Sequence, residues 1–159
     1  MNDSKYDNRA LLESLVAGVI FGIIAFAYAF AILRNAQGEG WEKFPGCAGV
    51  AASLAGVAAW WTILARPSTH SIGRGLGAGA LVGIISHPLA WYVFILTYYL
   101  SGTKDAMDPL QALWGAVVFS LFSWCVAWLT VPLAAGAGAA FALMMKWLVG
   151  KGSWDISRQ

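Results

Sequence analysis

Residues 11–33 read LLESLVAGVIFGIIAFAYAFAIL, a run of 23 residues in which Glu13 is the only charged side chain. A helix needs about 20 mostly apolar residues to cross the hydrocarbon core of a bilayer. This run therefore predicts a membrane-spanning helix. A cleaved signal peptide is the alternative, because Lys5 and Arg9 precede the run and Ala27-Tyr28-Ala29 or Ala29-Phe30-Ala31 within it resembles a cleavage site. The run, however, exceeds the roughly 7 to 15 residues of a signal core.

The composition of the whole chain points to the same class of protein. Of its 159 residues, 59% are hydrophobic and only 11% are charged, against about 25% charged in soluble proteins. A water-soluble domain is therefore excluded. The net charge of +2 is too small and too scattered for a nucleic-acid partner, which needs clustered Lys and Arg. We expect one integral membrane domain over residues 1–159, with the lipid bilayer as its surroundings.

Two further apolar runs predict two more spanning helices, at residues 45–65 and 75–100. Pro45 stands at the start of the first of them, where its missing N–H costs nothing. That helix is predicted to end at Arg66-Pro67, because a cation suits a helix C-terminus and proline disfavours continuation. Polar loops separate these runs, so the fold class is an all-α bundle of transmembrane helices.

The last apolar run, residues 110–149, is too long for one simple crossing. Its 40 residues would form a straight helix of about 60 Å, whereas the hydrocarbon core is about 30 Å thick. We predict a fourth span over 113–135 and an interfacial helix over 139–149, separated by a break at Gly136 and Gly138.

A five-crossing arrangement is the alternative, with a turn at 131–138 and the residues after it as a fifth helix. The number of Lys and Arg residues at each end favours four crossings with both termini in the cytoplasm, because basic loops stay inside. That arrangement places seven of them inside and three outside, against six and four for five crossings. The seven are Lys5, Arg9, Arg66, Arg74, Lys146, Lys151 and Arg158. We expect a bacterial plasma (inner) membrane as the location.

Small residues recur at intervals of four and so lie on one face of each of the first three helices. They are Ser14, Gly18 and Gly22 in the first, Ala52 and Gly56 in the second, and Gly75, Gly79 and Gly83 in the third. Such faces let two helix backbones approach closely within lipid. Two interpretations are open: the faces pack the bundle internally, or at least one binds a partner protein or a second copy.

His87 is the one ionisable residue predicted near the middle of a span, and intramembrane ionisable groups are functional candidates. Pro88 leaves a carbonyl of the preceding turn without a donor, so Ser86, His87 and Pro88 form a candidate polar site. His87 is either a neutral histidine bound to Ser120, Ser123 or a tyrosine, a relay for protons or substrate, or a ligand of haem or a chlorophyll-type pigment.

The chain has no C-x-x-C and no H-E-x-x-H motif, so we expect no metal site, no cofactor and no enzymatic activity. The sequence favours a non-catalytic membrane protein that acts through helix–helix association, as an accessory or assembly subunit of an inner-membrane complex. Its partner is expected to be another membrane protein or a second copy. The alternative is a small oligomeric transporter or channel that uses His87 and Pro88.

Overall fold

The computed structural model describes residues 3–36, 40–67 and 70–155, with side chains for residues 8–148 within these ranges except 124, 126 and 127. This part of the chain is all-helical and contains no strand. The helices are α1 Asp3–Leu33, α2 Phe44–Trp60, α3 Ile72–Leu100 and α4 Pro109–Asp155. A 3₁₀ turn, Trp41–Lys43, precedes α2, and a π-helical turn, Trp61–Ala65, follows it.

Four helical stretches of the described residues are long and apolar enough to cross a membrane, which confirms the prediction of four candidate spans. The stretches are Asn8–Leu33, Trp41–Ala65, Ile72–Leu100 and Trp128–Leu148. The first three agree closely with the predicted boundaries. The fourth lies within α4, whose apolar sequence begins before Trp128, so the predicted span at 113–135 also lies within this helix.

Local sequence signals explain where the helices begin. Pro45 lies in the first turn of α2, as predicted. Asp108 caps α4, since its Oδ1 accepts hydrogen bonds from the N–H groups of Leu110 and Gln111 at 2.8 and 2.9 Å. The Ser71 hydroxyl accepts a hydrogen bond from the N–H of Arg74 and caps α3. Residues 68–69 of the predicted second loop, and Arg158 of the charge comparison, lie outside the described residues.

The predicted break in the fourth helix is wrong. α4 is one helix of 47 residues, about 70 Å long, and it continues through Gly136 and Gly138. A separate interfacial helix at 139–149 is therefore not formed, and the turn at 131–138 that a fifth crossing requires is absent. The helix continues because of its contact with α3. Gly138 packs against the backbone of Gly75 and Gly79, so this glycine serves close packing between two helices and does not end α4.

Helices that follow one another in the chain pack side by side and antiparallel, whereas α1 and α4 have little contact. The core between them is made of small residues and a few large ones. Trp60 and Leu64 are fully buried, and the Trp60 ring lies 4.6 Å from that of Phe141 on α4. The chain thus forms a curved row of four helices in which α2 and α3 are central and α1 and α4 are the outer helices.

Candidate functional site

The small-residue face of α1 lies against α2. The Cα of Gly18 is near Gly56, and Gly22 lies close to Ser53 and to the carbonyl oxygen of Gly49. A Cβ on Gly56 would lie 2.9 Å from the Phe21 ring. Ser14 and Ala52 on these helices are also buried. All five predicted positions of the first two helices therefore lie within the bundle.

The glycines of α3 lie against α4 in the same way. A Cβ on Gly75 would contact Gly138, and one on Gly79 would overlap the carbonyl oxygen of Ala134. On Gly83 it would lie 2.9 Å from the Cα of Val131. Because these faces are occupied within the chain, the glycines do not supply a free surface for another protein.

His87 lies near the middle of α3 and reaches across to α4. Its Nε2 is 2.8 Å from the Thr130 hydroxyl oxygen. The predicted partners Ser120 and Ser123 instead donate to carbonyl oxygens of their own helix, those of Val117 and Ser120. A buried polar group is costly unless it is hydrogen-bonded, so the bond to Thr130 stabilises the imidazole in these apolar surroundings.

The other two residues of the predicted polar site have separate roles. The Ser86 hydroxyl donates to the carbonyl oxygen of Gly83 at 3.3 Å and does not bond to His87. Pro88 lies inside α3, which remains one helix on both sides of it. Ser86 and His87 both line one cavity, so they share a space without forming a hydrogen-bonded pair.

This cavity is a cleft between the two outer helices, with a volume of about 330 Å³. One wall is formed by α1 from Phe21 to Leu33, the other by α4, and α2 and α3 form the floor. The rim residues Ile32 and Phe122 are exposed, so the cleft opens at the protein surface. The cleft follows from the row of helices, because α1 and α4 do not close against each other.

Aromatic side chains fill the bundle beside one end of the cleft. The rings of Phe44 and Trp91 are 4.9 Å apart, and Trp41 meets Trp91 edge-on at 6.1 Å. All three residues also line the cleft. Aromatic pairs at these separations and angles are favourable, so this end of the floor is a packed apolar surface.

A second polar cluster, which the sequence did not reveal, lies at the end of the bundle where α1 begins. Glu13 is only 8% exposed, and its carboxylate accepts a hydrogen bond from Nε of Arg9, one helical turn away, at 3.2 Å. Its other oxygen lies 2.9 Å from His70 Nε2. His70 precedes α3, and a separation of 57 residues leaves no local signal for this contact. The cluster ties the start of α3 to α1.

Within the described residues, no three His, Cys, Asp or Glu side chains come together in a group that could hold a metal ion. Cys47 is buried and Cys125 is exposed, and both are free thiols. Comparison with protein families, with curated proteins and with solved structures finds no match to this chain. The candidate site is therefore defined by its geometry alone: His87 and Thr130 on the wall of a cleft at mid-depth in the bundle.

Proposed function

We propose that this protein is a small, non-catalytic integral membrane protein that acts through helix–helix association, as an accessory or assembly subunit of an inner-membrane complex. One observation supports this more than any other. Trp128 is 73% exposed, although it lies only two residues from Thr130, the partner of mid-helix His87. Tryptophan prefers the membrane–water interface, so an exposed indole at mid-depth favours a protein partner over lipid tails.

The same face of α4 carries a stripe of exposed side chains at helical spacing. They are Leu110, Trp114, Leu121, Cys125 and Trp128. Residues at such intervals lie on one side of a helix. Since the glycine faces are occupied internally, we assign the association surface to these five residues, the outer stripe of α4.

The first test is the mass and composition of the gently purified protein. In nanodiscs, we expect co-purifying subunits and no visible absorption band. A pure monomer would contradict the proposal. A haem or pigment band would contradict the expectation of no cofactor and would make His87 the candidate ligand.

Cross-linking at the outer stripe tests the surface itself. Cys47→Ala leaves Cys125 as the one cysteine of the chain, so it can carry a photoreactive maleimide in membranes. The matched control is a cysteine at Ile23, which is exposed near the middle of α1, in a background without other cysteines. We expect a product of higher mass from Cys125 and not from the control. Equal yields from both positions would show random collisions and refute the assignment.

We further propose that both termini face the cytoplasm of a bacterial cell. The antiparallel order of the helices supports this, because the start of α1, the α2–α3 connection and the end of α4 share one end of the bundle. By sequence, that end has seven Lys and Arg residues and the other end has three, and basic segments favour the cytoplasm. Cysteine accessibility from the two sides of intact cells tests the orientation.

A small oligomeric transporter or channel is the second candidate, and the position of His87 favours it. This side chain is at mid-depth, beside Pro88 and on the wall of a cleft, as expected of a permeation site. If the candidate is right, His87→Ala vesicles should lose uptake or conductance that wild-type vesicles show. Unchanged flux in the variant would remove His87 from that role.

A further inference from the structure

The cleft between α1 and α4 has the dimensions and the chemistry of a site for a small amphiphile. Its volume of about 330 Å³ is at the lower end of the range for ligand pockets, about 300 to 1,000 Å³. A molecule with a chain of about ten carbon atoms and one polar atom at its end is in the size class of ligands that such pockets hold.

The polar group that such a molecule would meet is His87. Its Nε2 is bonded to Thr130, but its Nδ1 has no hydrogen-bond partner among the residues that the structure describes. Nδ1 is also not fully buried, and His87 lines the cleft. The bond to Thr130 fixes the ring, so that one nitrogen remains available to a molecule in the cleft.

The tautomer of the His87 ring decides which chemical group of a ligand can bond to Nδ1. If Nε2 donates its proton to Thr130, Nδ1 is an acceptor; if Thr130 donates to Nε2, Nδ1 carries a proton and is a donor. A hydroxyl group matches both cases, because it donates one hydrogen bond and accepts others. A carbonyl matches only the second, and a carboxylate would place a charge at mid-depth in the bundle, which is costly.

Access to the cleft is from the side. Its rim is formed by exposed side chains of the two outer helices, Ile32 on α1 and Phe122 and Leu133 on α4. A molecule dissolved in the bilayer can therefore enter without crossing a polar end of the bundle. Its chain would lie along the apolar floor, toward the aromatic rings of Trp41 and Trp91.

We propose that this cleft binds an alkyl alcohol from the bilayer, with the hydroxyl group bonded to Nδ1 of His87 and about ten carbon atoms inside the cleft. This site is separate from the outer stripe of α4 and does not depend on the proposed association.

Quenching of tryptophan fluorescence in nanodiscs tests the proposal, with ω-bromodecanol and bromodecane as matched probes at equal content in the membrane. Trp41 and Trp91 line the cleft, and bromine quenches indoles that it contacts. We expect saturable quenching by the alcohol, at a concentration about three- to tenfold below that for the hydrocarbon, the range of one hydrogen bond. His87→Leu should abolish this preference.

A second pair of variants tests the location and does not depend on the folding of His87→Leu. Ala25 lines the cleft from α1, whereas Ala27 is exposed. Ala25→Phe should abolish saturable quenching, and Ala27→Phe should leave it unchanged. Quenching that never saturates, an equal response to both probes in the wild type, or saturable binding that survives Ala25→Phe would each overturn the proposal.

Discussion

Replacing Gly79 by alanine should destabilise the bundle, although alanine is the better helix former. The new Cβ would overlap the carbonyl oxygen of Ala134 and would lie 2.8 Å from the Cα of Ala135. Both contacts are with backbone, which cannot rotate away as a side chain can. Overpacking of this kind costs about 1–3 kcal/mol, since α3 and α4 must separate along their glycine contact.

Gly77 offers a matched control on the same helix. A Cβ at Gly77 would meet nothing within 4 Å, so Gly77→Ala should be neutral or should stabilise by up to about 1 kcal/mol through helix propensity. Equilibrium unfolding in mixed micelles, with sodium dodecyl sulfate as denaturant and far-UV circular dichroism as readout, compares the two. We expect Gly79→Ala to unfold at a lower detergent fraction than the wild type.

The difference between the two variants is the informative quantity. Both replace the same residue by the same residue on α3, so intrinsic propensity largely cancels and the contact with α4 remains. The expected difference is about 1–3 kcal/mol. Equal unfolding midpoints would refute the close approach of α3 to α4. Equal midpoints would also mean that the glycine face of α3 is available to a partner. This would contradict the assignment of the association surface to the outer stripe of α4.

Two further predictions concern the ends of the helices. Glu13→Gln should lower the free energy of unfolding by about 1–3 kcal/mol, because it removes charge-assisted bonds to His70 and Arg9. Arg9→Gln should cost less than about 1 kcal/mol in the same detergent titration, since Arg9 is 58% exposed, and equal losses would contradict this. Asp108→Ala should cost about 1 kcal/mol through the lost cap of α4, with Asp108→Asn as the capping control, and an unchanged midpoint would contradict it.

The features that sequence predicted well are those set by local physics. Apolar runs of sufficient length form helices because lipid offers the backbone no other partner. Pro45 marks a helix start because its effect acts within one turn. The four-residue spacing of the glycines places each set on one helix face, and these faces lie at the α1–α2 and α3–α4 contacts.

The features that sequence missed depend on residues far apart in the chain. Gly136 and Gly138 suggest a break when considered alone, but the surroundings decide between a break and a close contact, and α3 supplies a contact at Gly138. Likewise, 43 residues separate His87 from Thr130. Only the register between α3 and α4, which the glycine contacts fix, brings these two side chains together.

The same register links the glycines to the cleft. Gly75, Gly79 and Gly83 hold α3 close to α4 over two turns, and one turn further on His87 meets Thr130. Gly18 and Gly22 hold α1 close to α2. Each outer helix is thus drawn to its own neighbour, so α1 and α4 are left apart and the space between them ends on His87. A larger residue at any of these glycines would therefore alter the cleft and the His87–Thr130 bond together with the stability of the bundle.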